Sequence, residues 1–101
     1  MADLTGHEDH NIELAKAAEM TRRYRESQPE GQKIGGYFGE DAIETILAQE
    51  GCIGIRYYYG INDKGEKVLV LVGVKANKDD IVDGRVMEMS WPCPHCCKKH
   101  V

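Results

Sequence analysis

The sequence predicts an α+β fold in which two N-terminal helices pack on a three-stranded antiparallel meander, followed by an irregular C-terminal tail. Apolar residues recur at helical spacing in the first half of the chain only. Two runs rich in β-branched and aromatic residues then follow, CIGIRYYYG and KVLVLVGVKA, with the polar turn segment INDKGE between them. Because helices precede strands instead of alternating with them, we expect the helices on one face of the sheet.

The first helix is predicted from His7 to Ser27, with residues 1–6 as a frayed arm before it. Thr5 and Glu8 have the spacing of a capping box, in which a hydroxyl and a carboxylate satisfy free backbone N–H groups. Two further residues offer competing caps, Asp9 and Asn11. Pro29 ends the helix, because proline disfavours helical geometry in the residue before it. The apolar face comprises Leu14, Ala15, Ala18 and Tyr24.

The second helix is predicted from Glu40 to Gln49. It follows the glycine-rich connector GQKIGGYFGE, which we expect to be a flexible loop between the helices. Carboxylates in the first turn favour the helix dipole, and Gly51 is the natural C-terminal cap. The apolar face comprises Ala42, Ile43, Ile46 and Leu47.

The first two strands are the runs quoted above, and RVMEMSW is predicted to be the third, after the polar turn NKDDIVDG. Side chains alternate between the two faces of a strand. At least one of three consecutive tyrosines should therefore face the core, and at least one should lie on the other face, where it can line a ligand surface. These are Tyr57, Tyr58 and Tyr59. Cys52 should pack as a small buried hydrophobe at the start of the first strand.

Charge and composition exclude several classes of function. The net charge of -4 argues against phosphate contacts and against anchoring on acidic lipid, so we expect neither a nucleic-acid nor a membrane partner. The longest apolar run, VLVLVGV, is too short to span a bilayer. The N-terminal residues lack the basic and apolar regions of a secretory signal, which leads us to expect a cytoplasmic protein whose cysteines stay reduced.

The C-terminal segment WPCPHCCKKHV concentrates thiols and imidazoles, which indicates metal binding before disulfides in a reducing compartment. Cys93 and Cys96 form a CxxC whose tight turn can direct both thiolates to one ion, and zinc takes four Cys or His ligands. We predict a zinc site in which His100 and Cys97 are the next ligands. Further candidates are His95 in the tail and, across the fold, Cys52, His7 and His10.

The segment Cys93-Pro94-His95-Cys96 resembles the CPHC active-site motif of the periplasmic disulfide-forming oxidoreductases. That family has a thioredoxin fold, in which the first cysteine begins a long helix that lowers its pKa together with the intervening histidine. Five residues follow Cys96 and the βαβ context is missing, so the resemblance does not extend to that fold or its catalysis. A thiol-redox role is the alternative to metal binding, with Cys93 attacking and Cys96 resolving.

The chain also resembles a group of short bacterial proteins in three segments: GCIGIRYYYG, LVLVGV and the Cys-Pro-rich C-terminal end. The resemblance covers roughly residues 37–97. It implies a small bacterial domain, and it brings no activity with it.

A chain of 101 residues fits one domain, predicted over residues 1–92, with the Cys/His tail over residues 93–101. No Ser/His/Asp set and no paired acid–base carboxylates can be brought together from the sequence. We therefore expect a metal-binding protein in preference to an enzyme, with a protein partner at the tail. A third class is a carrier or adaptor whose tail is modified by, or docks on, another protein.

Overall fold

The computed structural model describes residues 3–88 and the backbone of residues 91–93. The chain divides into two compact units, each made of two segments: Met1–Glu8 with Phe38–Ser90, and Asp9–Tyr37 with Trp91–Val101. In chain order the elements are α1 (Leu14–Ser27), β1 (Gly35–Tyr37), α2 (Glu40–Leu47), β2 (Cys52–Ile61), β3 (Lys67–Lys75), β4 (Val86–Met87) and β5 (Trp91–Cys93). Two helices and a three-stranded antiparallel sheet confirm the α+β class.

The first unit contains the predicted meander, with strand order β2-β3-β4. The two long strands pair along almost their whole length, with Ile61 opposite Lys67 beside the turn. A β-bulge between Cys52 and Gly54 shifts the register at the other end. The third strand has only two residues, so it is much shorter than RVMEMSW, and Trp91 belongs to a different sheet.

Helix α2 packs on β2 and β3 and buries the predicted apolar face through Ile46, which is 0% exposed. The helix ends at Leu47, two residues before the predicted Gln49, and the backbone N–H and side-chain amide of Gln49 both donate to the Ile46 carbonyl, at 3.3 and 2.9 Å. Gly51 then adopts a φ of +78° in the turn into β2, as its capping role requires. The other buried apolar residues of the described chain are Leu71, Val72, Val74 and Ile81.

Side chains that follow α2 lie close to Gly73 of β3. A Cβ added there would lie 2.9 Å from the Cys52 Sγ, 2.9 Å from the Gln49 Nε2 and 3.2 Å from the Ile81 Cδ1. These distances leave no room for a side chain. Gly73 therefore permits the helix end and the turn after β3 to close over the same point of the sheet.

Residues 3–6 of the N-terminal arm contact the sheet, which contradicts the prediction of a frayed arm for this part of it. The Leu4 N–H donates to the Ala76 carbonyl at 2.9 Å. Gly6 has a φ of +84°, and a Cβ there would lie 2.8 Å from the Ile53 carbonyl oxygen. Only glycine tolerates both the left-handed backbone and this close approach.

Helix α1 begins at Leu14, about two turns later than predicted. The predicted capping contacts form upstream, but in isolated turns: the Thr5 N–H donates to Glu8 at 2.8 Å, and the Asn11 N–H donates to Asp9 at 2.9 Å. Such short-range bonds from side chain to backbone compete with helical hydrogen bonds, which explains the late start.

Helix α1 ends at Ser27, as predicted. None of its residues is buried, and its exposed face carries an ion pair between Arg23 and Glu19, one turn apart. The helix belongs to the second unit, whereas the meander belongs to the first. Packing of this helix on the sheet therefore stays a prediction.

The second unit also contains a two-stranded antiparallel ribbon formed by β1 and β5. Gly35 lies opposite Cys93, and Tyr37 lies opposite Trp91. Part of the glycine-rich connector is thus a strand and not a loop, and the predicted irregular tail begins in regular structure.

Candidate functional site

The CxxC motif starts where the β1–β5 ribbon ends. Cys93 is the last residue of β5, and its backbone pairs with that of Gly35. The other predicted ligands in the tail, Cys96, Cys97 and His100, lie outside the described residues, as does His95. The ribbon therefore gives the first cysteine of the motif a defined backbone position.

The candidate ligands away from the tail are distributed over both units. His7 and His10 are exposed, the first in the first unit and the second in the second. Cys52 is half-buried, and its thiol donates to the Gly54 carbonyl at 3.2 Å. It was predicted to be buried; it packs against the sheet as expected, but solvent still reaches it.

A cluster of carboxylates occupies the first turns of α2. Glu40, Asp41 and Glu44 offer oxygen atoms that lie within 4.8 Å of one another, and all three residues are exposed. Oxygen ligands suit magnesium or calcium and not the sulfur-rich site expected for zinc. Glu40 and Asp41 lie in the first turn, where the helix dipole already accounts for their charge. This cluster therefore adds nothing to the zinc prediction.

The three consecutive tyrosines of β2 alternate between the two faces of the sheet, as predicted, but all three are solvent-accessible, so none packs in the core as expected. Tyr57, Tyr58 and Tyr59 are 58%, 46% and 67% exposed. Tyr57 and Tyr59 lie on one face with their rings edge to face, 5.9 Å apart, and the Lys67 ammonium stands 4.4 Å from the centre of the Tyr59 ring. The helix covers this face near Gly73 but leaves the tyrosine end open.

On the opposite face, Arg56 and Tyr58 both bond to Asp80, a group we call the cross-sheet bridge. The Tyr58 hydroxyl donates to one carboxylate oxygen at 2.6 Å, and the Arg56 guanidinium donates to the other. Arg56 also donates to the Lys78 carbonyl at 3.0 Å. Tyr58 and Asp80 raise the pKa of Arg56. The sequence analysis missed this bridge and interpreted NKDDIVDG as a turn only.

An open depression of about 520 Å³ lies between the end of α2 and the turn before β4. Its central amide is already engaged, because the Gln49 Oε1 accepts the Arg85 N–H at 2.6 Å. The lining consists of Gln49, Glu50, Gly51, Lys75, Ile81, Asp83 and Gly84. Because the Gln49 side chain is bonded within the protein, the depression shows no set of convergent free polar groups among the described residues that would define a ligand.

No protein-family model, curated protein or solved structure matches this chain. Within residues 3–88 and 91–93, neither helix has the length and apolar character needed to cross a membrane.

Proposed function

We propose that the chain is a metal-binding protein without catalytic activity, which holds zinc through Cys93, Cys96, His100 and Cys97. The observation that supports this most is the position of Cys93 at the end of a paired strand. Backbone pairing restricts one end of the CxxC before any metal arrives. Less conformational entropy is then lost when the remaining ligands close around the ion.

The strand beside the motif is compatible with a compact metal loop. Gly35, the residue opposite Cys93, carries no side chain, and neither does Gly36 next to it. Beside Cys93, the Gly35 and Gly36 positions of β1 therefore present only backbone. The proposal includes a reducing, cytoplasmic location, in which the thiols remain available, and a protein partner at the tail.

The test is the zinc content of freshly purified protein, followed by competition with a colorimetric chelator. The parent should carry about one zinc ion per chain, as expected for one four-ligand site. Cys93→Ser and Cys96→Ser should each abolish tight binding, because one thiolate cannot hold the turn closed. His100→Ala should weaken binding. Cys52→Ser is the matched control, since it removes a thiol that packs on the sheet, and it should leave the zinc content unchanged.

Protons compete with the metal for the same lone pairs, so zinc binding should weaken as the pH falls through the thiol and imidazole range. A reduced parent protein that takes up no zinc would overturn the proposal. If that protein instead shows one tail thiol of low pKa that cycles with a dithiol reductant, the thiol-redox alternative is favoured.

A further inference from the structure

Among residues 3–88 and 91–93, β2 pairs with β3 alone, so the outer edge of β2 carries a row of backbone groups that the sheet does not use. The Asn62 N–H donates to the Glu66 carbonyl at the hairpin turn. Gly73 lies opposite Ile55, and its carbonyl accepts a hydrogen bond from the Ile81 N–H on the far side of β3. Both bonds fix the same ladder: even-numbered residues of β2 bond to β3, and odd-numbered residues direct their N–H and C=O groups outward.

The outward-directed residues are Ile55, Tyr57, Tyr59 and Ile61. Within the part of the first unit that the structure describes, no backbone hydrogen bond joins them to another segment. The strand is ten residues long, lacks proline, and has Arg56 as its one charged residue. Natural edge strands avoid unwanted pairing by being short or by carrying lysine, proline or bulges. Most of β2 lacks these protections, since its bulge lies at the Cys52 end.

The sequence of β2 indicates what pairs with this edge. Residues 53–61 are IGIRYYYGI, in which two of the four pairs of positions equidistant from Tyr57 are identical: Ile53 with Ile61, and Gly54 with Gly60. Antiparallel pairing of two copies about a two-fold axis at Tyr57 therefore places Tyr57 opposite Tyr57 and Gly54 opposite Gly60, so that like residues meet at these positions. A two-fold interface requires such self-complementarity, because the same patch serves both partners.

The chemistry of the paired positions is also favourable. Tyr57 directs its backbone outward, so at the axis the two copies exchange N–H···O=C bonds with each other. Tyr59 then lies opposite Ile55, which is an aromatic–β-branched pair of the kind that stabilises sheets. Arg56 lies opposite Tyr58, so the strand's one cation meets an aromatic ring and not a second cation.

We propose that the protein forms a homodimer through antiparallel pairing of two β2 strands, with Tyr57 on the two-fold axis. The three-stranded sheets of the two copies then form one six-stranded sheet. Gly6 lies against the Ile53 carbonyl, so the intermolecular ladder runs from Ile55 to Tyr59 in each copy. The exposed rings of Tyr57 and Tyr59 from both copies then lie close to the axis on one face of the sheet.

The dimer is tested by sedimentation with reductant and chelator present, so that neither disulfides nor metal ions link the copies. The mass should rise from 11.3 kDa towards twice that value with concentration. Tyr57→Lys and Tyr57→Glu each place like charges together at the axis and remove an aromatic pair, which should weaken association about tenfold or more. An equimolar mixture of the two variants should associate again. The control is Val82→Lys, at a residue that is 83% exposed and outside the strand.

Hydrogen exchange of the parent protein tests the register without any substitution. Protection of the Tyr57 and Tyr59 amides should increase with protein concentration, whereas the Arg56 and Tyr58 amides, already bonded to β3, should not change. A protein that stays monomeric up to about 1 mM overturns the proposal. So does a dimer that persists in both Tyr57 variants, or one in which the parent Tyr57 amide exchanges at the same rate at every concentration.

Discussion

The Tyr58 hydroxyl donates a hydrogen bond to the Asp80 carboxylate at 2.6 Å, which ties β2 to the turn after β3. Arg56 bonds to the other oxygen of the same carboxylate. Arg56 lies opposite Val72, and Asp80 lies opposite Val74. The cross-sheet bridge therefore passes over the middle strand on the face that carries these two valines, which are 4% and 5% exposed. A polar contact at the surface thus helps to cover part of the core.

Tyr58→Phe should lower the free energy of unfolding by about 1 kcal/mol, because it removes one hydrogen bond to a charged acceptor and keeps the ring. Asp80→Asn should cost more, since it also removes the charge that pairs with Arg56. Urea denaturation measures both. Tyr59→Phe is the matched control, because no hydrogen bond of the Tyr59 hydroxyl is found among the described residues. Equal losses from the two tyrosine variants would contradict the role of the bridge.

Gly73→Ala should destabilise the protein by roughly 1–3 kcal/mol, because the new methyl group would displace the Cys52 and Gln49 side chains from their hydrogen bonds to Gly54 and Ile46. Gly54→Ala provides the control in the neighbouring strand. Its Cβ would lie 3.7 Å from the Val74 Cγ1, which is ordinary contact. Denaturant titration of both variants should show a loss for Gly73→Ala alone.

The pKa of the Glu8 carboxyl should lie below its ordinary value of 4.5, chiefly because the Thr5 N–H donates to it. Because the pKa is lowered in the folded state, the ionised Glu8 carboxylate strengthens the turn at pH values above its ordinary pKa. This gain is lost as the pH falls through the lowered value. Carbon-detected NMR titration of Glu8 measures it, and the Thr5 amide shift should follow the same curve. In Glu8→Gln that dependence of the Thr5 amide should disappear; its persistence would assign the titration to another group.

The long elements of this chain were predictable because each carries its own periodic signal. The apolar positions of α2 recur at helical spacing, and β2 and β3 are long enough for composition to identify them. The three-residue strands β1 and β5 have no such signal: GGY and WPC show no alternation, and their pairing joins positions such as Gly35 and Cys93 that are far apart in sequence.

The same limit applies to the polar contacts. Asp80 is 24 residues from Arg56 and 22 residues from Tyr58, so nothing local distinguishes it from the other aspartates of its turn. The exposure of the tyrosines could not be predicted from the sequence either. Alternation decides which residues share a face, but the length of the covering helix decides how much of that face is buried. The eight-residue α2 is too short to reach the tyrosine end of β2.

Truncation after Ser90 should leave the meander and α2 folded, because the main contacts of α2, β2, β3 and β4 are made with one another inside the first unit. The truncation removes β5, and β1 then loses the strand with which it pairs. Circular dichroism should show only a small loss of sheet signal, and thermal unfolding should stay cooperative. Loss of cooperativity would show that the tail belongs to the core.

Under native conditions with a chelator present, a thiol reagent should label the tail cysteines before Cys52. The Cys52 thiol is half-buried and donates to the Gly54 carbonyl, and its sulfur lies where a Gly73 side chain would be. These contacts should slow its labelling relative to that of the tail thiols.

Mass spectrometry of quenched samples gives the labelling rate of each cysteine, and denaturant should remove the difference between them. Adding zinc provides a second contrast, because the metal should slow the reaction of Cys93 and Cys96 and leave Cys52 unchanged. Labelling of Cys52 as fast as the tail would mean that its contacts with the sheet do not protect it. The thiol would then be available as a metal ligand, and the four-ligand set of the tail would have to be revised to include it.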